Sequence, residues 1–296
     1  MNYYNEIKNK LINNEVYKQV KDYSKERYKV ITYFEIGRLL SIAENKYGSK
    51  IIEEYSNRLV TEVNKLYNKR TLFRMRQFYN VFKSEKVSTL STQLSWSHYT
   101  ELLPIKDKEK LLYYLTISIN QNINVRDLRA KIKSKEYERL SEDTKLKLSN
   151  NSKLEVQDLV KNPIMINNPT NIKILTERAL KLLILENLPS FLSELGEGFA
   201  FINQEYKIKI GNTYNYIDLL LFNIKYNCYV VVELKITELK KEHIGQIQVY
   251  MNYIDRNLKN IYQDKTIGLI ICKKDNKFII EYSSDTRIFS SSYILK

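Results

Sequence analysis

The chain is poor in the residues that build cross-linked, fibrous or membrane-spanning proteins. It has two cysteines, Cys228 and Cys272, in 296 residues. That excludes a disulfide framework and leaves too few thiols for a structural zinc site. Both lie in apolar runs and read as small core residues. Seven glycines and four prolines exclude collagen-like and linker-like chains. No apolar run approaches the roughly 18 residues of a membrane span, and the opening MNYYNEIKNK lacks the apolar stretch of a signal peptide. A cytoplasmic protein without membrane contact is therefore expected. The two histidines, His98 and His243, have no second His or Cys at ligand spacing and read as structural or surface residues. There is no Gly-rich phosphate loop. What is present is 43% hydrophobic, enough to bury a core and to exclude wholesale disorder.

Lys and Arg number 48 against 34 Asp and Glu, a formal charge of +14. A composition rich in Lys, Asn, Ile and Tyr raises the basic count by itself, so distribution says more than the total. Residues 1–150 carry 29 basic and 18 acidic side chains, whereas 151–296 carry 19 and 16. The surplus sits in the first half and points there to a polyanion-binding segment, most simply one for nucleic acid.

The first half reads as helical. Between Val16 and Ile42, apolar and aromatic residues recur at three and four: Val20, Tyr23, Tyr28, Ile31, Phe34, Leu39. Gly48 followed by Ser49 is a helix stop and a cap. Ile52, Tyr55, Leu59 and Val63 mark the next helix. Asn68 caps another that runs through Leu72, Met75, Phe78, Tyr79 and Phe82. Asn124 with Asp127 opens VRDLRAKI as a capping box. Trp96, the only tryptophan, reads as a core anchor. Short helices joined by polar turns suit a bundle of helix-turn-helix type. Residues 151–171, rich in Asn and holding Pro163 and Pro169, read as a domain connection. From 172 the pattern changes. One amphipathic helix is expected from Ile174 to Leu195, with Ala179, Leu182, Leu183, Leu188 and Leu192 inward. Strands FAFINQEYKIKI, YNYIDLLLFN and CYVVVELKI follow, the first two joined by a hairpin turn at Gly211–Asn212. A helix over about 240–258 comes next, then strands TIGLIICK and FIIEY at 266–273 and 278–282. The expected architecture is two domains: an all-α bundle over 1–150, and an α/β core with a central mixed sheet over 172–296.

Two carboxylates interrupt strongly apolar strands, Asp218 in YIDLLLFN and Glu233 in VVVELK. An unpaired carboxylate buried there costs several kcal/mol or is neutralised. A divalent cation resolves the conflict, because carboxylate oxygens are what Mg²⁺ or Mn²⁺ accepts. Glu233 and Lys235, two apart on a strand, share a face. Lys235 could then neutralise a phosphate or orient and deprotonate a water, the parts that metal-assisted phosphodiester hydrolysis requires. Glu-x-Lys occurs five times in this Lys-rich chain, so spacing alone leaves open a strand-end acid at Asp218 and an edge-strand ion pair at Glu233–Lys235. In the following helix, Ile244, Ile247, Met251, Ile254 and Leu258 form a core stripe. Gln246, Tyr250, Tyr253 and Asn257 run one residue earlier, about 100° around the helix. The polar tips of Gln246 and Tyr250 suit a phosphate or a bound water.

These segments resemble the YhcG-type family of PD-(D/E)xK nucleases. The C-terminal resemblance covers 172–296 through FLSELGEGFAF, YIDLLLFN, VVVELK, IGQIQVYMNY and TIGLIICK. The N-terminal one covers about 15–140 through YFEIGRLL, TLFRMRQFYNVF, QLSWSHYTELL and NINVRDLRAKI. It implies a restriction-endonuclease-like core behind a helical domain that binds DNA. It assigns Asp218 and Glu233 as metal ligands, Lys235 as the catalytic lysine, Gln246 and Tyr250 as the helix motif, and Glu194 as the first-helix glutamate, with Glu197 close by. Ile217 stands where the superfamily often has Pro. In the first half, Arg70, Arg74 and Arg76 flank the aromatic stripe, and Arg70 and Arg74, four apart, share a helix face that could contact phosphates or bases.

The resulting reading is a Mg²⁺- or Mn²⁺-dependent DNA endonuclease with no other small-molecule cofactor, in keeping with a role in restriction, defence or mobile-element processing. A homodimer is expected, since cutting two strands takes two sites. A catalytically inactive nucleic-acid-binding protein with the same fold, and an RNA-directed nuclease, stay open as alternatives. If the basic half grips phosphates, affinity for nucleic acid falls steeply with salt, by about 0.7 to 0.9 in log–log slope per contact. A titration between low and moderate salt checks this, and a salt-insensitive affinity would point to a protein partner instead.

Overall fold

The computed structural model describes residues 3–19, 24–48, 50–83, 94–169, 171, 173 and 176–296. The chain divides into two units, Met1–Tyr137 and Glu138–Lys296. Among the described residues, no helix is long and apolar enough to cross a membrane.

The first unit is built from helices α1 (Tyr3–Gln19), α2 (Ser24–Tyr47), α3 (Ile51–Glu62), α4 (Lys69–Phe82), α5 (Trp96–Leu102), α6 (Lys108–Asn120) and α7 (Val125–Lys133). Polar side chains set the starts that their spacing predicts. The Asn68 Oδ1 accepts the Thr71 N–H at 3.1 Å, and the Asn124 Oδ1 accepts the Asp127 N–H at 2.9 Å. Gly48 ends α2's run at φ +86°. The expected cap Ser49 and the stripe residues Val20 and Tyr23 lie outside the described residues. Leu72, Met75, Phe78 and Phe82 of α4 are buried, as the periodicity requires. Trp96 is the core anchor expected of it. Its ring meets Tyr33 edge-on at 4.9 Å and Phe78 at 5.4 Å, joining α5 to α2 and α4. His98 is structural: its Nδ1 lies 3.2 Å from the Ser95 nitrogen, which donates to it, and its Nε2 is 3.0 Å from the Ile123 carbonyl oxygen.

The second unit holds α8 (Glu142–Ser149), α9 (Val156–Leu159), β1 (Ile164–Ile166), α10 (Glu177–Glu186), α11 (Leu188–Leu195), β2 (Phe199–Ile210), β3 (Thr213–Asn223), β4 (Cys228–Glu238), α12 (Lys241–Asn257), β5 (Asp264–Lys274), α13 (Lys277–Glu281) and β6 (Ile288–Leu295). The six strands form one mixed sheet in the order β1-β6-β5-β4-β3-β2. β2, β3 and β4 run antiparallel, and β4, β5, β6 and β1 run parallel. Buried strand residues alternate between two cores. Leu219, Val230, Val232, Leu234, Leu269 and Ile271 pack with Leu180, Leu183, Ile184, Phe191 and Leu195 of α10 and α11. Leu220, Val231, Ile270 and Cys272 pack with Ile247, Tyr250, Met251 and Ile254 of α12. Both cysteines are buried, and burial pushes the Cys228 thiol up to about 11 and the Cys272 thiol up to about 12.

The structure departs from the sequence reading at four places. Residues 151–171, expected as a connection, hold α9 and the edge strand β1, and the second unit begins at Glu138. The helix expected to end at Leu195 is two helices, because Asn187 leaves helical geometry at φ −134°, ψ 50° and Pro189 restarts the chain. Its expected start, Ile174, lies outside the described residues. Leu182 is exposed, and the inward stripe is Leu180, Leu183 and Ile184. Residues 278–282, expected as a strand, fall instead on α13 (Lys277–Glu281) and the residue that ends it: β5 and β6 are parallel neighbours, so the chain between them must leave the sheet and cross over. β6 itself was hidden by its serines. The hydroxyl of buried Ser291 donates to the Lys161 carbonyl at 2.8 Å.

Helices α2 and α4 approach closely at Gly37. A β-carbon there would lie 2.1 Å from the Met75 carbonyl oxygen and 2.9 Å from Tyr79 Cβ. Gly37→Ala should therefore destabilise the helical unit by about 1–3 kcal/mol, as overpacking does. A lowered urea midpoint with unchanged slope is the expected result, and an unchanged midpoint would show that the two helices separate freely.

Candidate active site

The ladder between β3 and β4 runs from Asn223↔Cys228 to Leu219↔Val232 and stops there. Beyond it, β3 stays with β2, and β4 stays with β5. The sheet forks where the two acids stand, since continuing the register would set Asp218 opposite Glu233. The fork strands a main-chain donor, and a buried N–H needs a partner. Asp218 supplies it: its Oδ2 accepts the Leu234 N–H at 3.0 Å. Its Oδ1 accepts from Lys181 of α10 at 3.0 Å.

Glu233 is 3% exposed. Its Oε1 accepts from Lys235 at 2.7 Å, while its Oε2 is buried without a hydrogen-bond partner. Burial, then the charge of Asp218, pushes the carboxyl up to about 7. Lys235 also lies 3.6 Å from Glu177 of α10. Burial opposes its charge, yet Glu233, Glu177 and Asp218 hold the ammonium above its ordinary value. Lys181 is matched likewise, between Asp218 and Glu205 of β2 at 3.0 and 2.9 Å. Burial lowers its pKa, but those two partners outweigh it. Glu205 has a left-handed φ of 48°, uncommon for a residue with a side chain, and its carboxylate meets the Lys181 ammonium.

Thus Asp218, Glu233 and Lys235 come together as the sequence suggests. Gln246 and Tyr250 also meet, Gln246 Nε2 donating to the Tyr250 hydroxyl at 3.1 Å. They lie on α12, which packs on β4 and β5. Near the start of that helix, His243 has its pKa lowered by burial and then by the charge of Lys235. Glu194 is elsewhere. It lies on α11, beyond the break at Asn187, where it pairs with Arg139 and accepts the Met165 N–H at 3.0 Å. Glu177 stands beside Lys235 instead. Glu177, Lys181 and Glu205 escaped sequence reasoning. A signal existed, since Lys181 falls among the buried positions Leu180, Leu183 and Ile184 of α10. In the helical unit, Arg70 is exposed and Arg74 half-buried, with the Arg74 charge acting on Glu101. Arg76 is drawn into the bundle, pairing with Glu44 and lying 4.8 Å over the Phe73 ring.

The donor set fits a hard divalent cation. It offers a buried, unpartnered carboxylate oxygen on Glu233 with Asp218 across the fork. Among the described residues, no three His, Cys, Asp or Glu side chains gather as a metal cluster, so water and substrate oxygens would complete the shell, as is usual for Mg²⁺.

Residues 157–296 match the model of the YhcG PDDEXK nuclease domain, and residues 7–139 match the DUF1016 N-terminal domain. A curated relative, "Putative nuclease YhcG" of Escherichia coli (strain K12), is 24% identical over 283 residues, covering 81% of this chain and 76% of that protein. Among solved structures, a repair endonuclease from Pyrococcus abyssi matches with 18% identity over 43% of this chain and 49% of its own, at a TM-score of 0.29. A complex of EndoMS with double-stranded DNA matches with 20% identity over 44% of this chain and 48% of its own, also at 0.29. The match spans about half of each of those two chains, and at that score neither bears on this one.

A carboxyl raised from the ordinary range to about 7 keeps its proton more firmly in the folded than in the unfolded state. Its contribution is fully present below about pH 4.5 and is lost as pH rises towards 7. Metal-free wild type should therefore lose stability relative to Glu233→Gln across that window, by up to about 3 kcal/mol. Melting both proteins in chelator at pH 5 and pH 8 checks this, and equal shifts for the two would show that Glu233 is not the titrating group.

Proposed function

We propose that this chain, which carries a YhcG PDDEXK nuclease domain behind a DUF1016 N-terminal domain, is a metal-dependent DNA endonuclease. One observation carries the reading: at the sheet fork, a Glu233 oxygen is buried without a partner, within reach of the charge of Asp218, with a lysine ammonium 2.7 Å from the other oxygen. Such an arrangement is costly as structure alone and useful as half of a cation site.

Asp218 and Glu233 would hold a Mg²⁺ or Mn²⁺ ion, which when bound supplies Lewis acidity and a nucleophilic water near neutral pH. The remaining roles belong to the chain. Lys235, held protonated by three carboxylates, acts as a donor and counter-charge to a phosphate oxygen or the attacking water, not as its base. Glu177 positions Lys235, and Lys181 positions Asp218. The Gln246–Tyr250 pair offers an amide and a hydroxyl for orienting substrate. Arg70 and Arg74 on α4 provide phosphate contacts in the helical domain. A cut through both strands of a duplex calls for two such sites, hence a homodimer.

Wild type should cleave plasmid or linear DNA with Mg²⁺ and stop in chelator. Glu233→Ala, Asp218→Asn and Lys235→Met should each lower the rate by about 10²- to 10⁴-fold while retaining DNA affinity. Full activity in these variants would overturn the site, cleavage confined to RNA would change the substrate, and binding without cleavage of any form would make the chain a silent member of the fold.

A further inference from the structure

The β2–β3 hairpin continues past the fork as a two-stranded arm. Its register pairs Lys207 with Tyr216 and Lys209 with Tyr214. Residues directly opposite on antiparallel strands share a face, and so do residues two apart on one strand. Tyr214, Tyr216 and Asp218 therefore line one face of β3, with Lys209 and Lys207 alongside on β2. All four hairpin side chains are exposed, both tyrosines at 52%. The Lys207 ammonium lies 3.9 Å from the centre of the Tyr214 ring, and that of Lys209 lies 5.9 Å from it. The row runs about 13 Å from Asp218 to Tyr214 at the rise of a strand. The opposite side of the arm is occupied: Ile208 and Ile217 are buried in the core that α12 covers.

We propose that this face is a binding track for a single nucleic-acid strand leading to the carboxylate site. The proposal rests on the nuclease reading and adds where the strand lies. Lysines alone would serve any phosphate backbone. Two exposed rings interleaved with them serve a strand whose bases are free to stack, because base–aromatic contacts with unpaired bases are how proteins grip single strands. The track begins at the acid expected to hold the metal, so a strand on it meets the site without a further turn.

The experiment uses the full chain carrying Glu233→Gln, so that bound strands stay intact. Fluorescence anisotropy follows a labelled oligonucleotide offered as single-stranded DNA, single-stranded RNA and duplex DNA. Tyr214→Ala and Tyr216→Ala should each weaken a single-stranded form by roughly 5- to 150-fold with the salt slope unchanged. Tyr214→Phe and Tyr216→Phe should retain binding, since the ring does the work. Lys207→Gln with Lys209→Gln should lower the single-strand salt slope by about 1.4. An iodouracil-substituted strand should photocross-link to the hairpin peptide, a readout independent of contacts made by the helical domain. The stronger of the DNA and RNA arms identifies the sugar. Unchanged single-strand affinity and slope with cross-links elsewhere would overturn the track while leaving the nuclease reading intact, as would equal losses on duplex and single strand in the Tyr→Ala variants. Wild type that neither binds nor cleaves any form would overturn both.

Discussion

The main-chain N–H of Leu234 needs an acceptor once β3 has left β4, and the carboxylate of Asp218 is what it finds. That bond ties the acid to the point where the sheet opens. In a continuous ladder the β3 backbone, and not a side chain, would be the acceptor available to Leu234. The divergence also lets α10 reach the sheet with Glu177 and Lys181, and it frees the far half of β3 to travel with β2 as an arm. Site and hairpin are thus two results of one interruption in hydrogen bonding.

Charge around the fork is acidic on balance and unevenly distributed. Two lysines stand among four carboxylates, and each lysine bridges two of them. The imbalance settles on Glu233, the most buried of the acids. Its second oxygen is without a partner and its proton is held towards neutral pH. A buried carboxylate oxygen in that state is an acceptor still open to a proton or a cation. The +14 of the whole chain says nothing of it, because the surplus lies in the helical half.

Much of this was legible from residues alone. Asp218 and Glu233 stand out because acids in apolar strands need a reason, and the caps at Asn68 and Asn124 follow from local hydrogen bonding that sequence spacing encodes. Gly211–Asn212 forms the turn between Ile210 and Thr213 because Gly211 takes a left-handed φ of 59°, as the dipeptide suggests. What stayed hidden depends on tertiary placement. Glu177 and Lys181 look like ordinary charges in a helix until the sheet fork receives them. Leu188-Pro189 reads as a continuation of an apolar helix, although the chain breaks at Asn187 and Glu194, on the second helix, is engaged with Arg139 and the Met165 N–H. Arg76 reads as a surface cation, but Glu44 and the Phe73 ring draw it inward. A serine-rich strand such as β6 is invisible to hydropathy, since its hydroxyls are satisfied within the fold.

The burial of Cys228 and Cys272 has a practical side. Both thiols sit in the sheet and are held protonated, at about 11 and about 12, so thiolate-seeking reagents find no nucleophile on the native protein near neutral pH. A cysteine introduced on the exposed hairpin face would then be the sole reactive handle in an otherwise unaltered chain. A spin label or dye placed there reports on the arm while both native cysteines stay in place, and its motion can be followed as a divalent cation or an oligonucleotide is added.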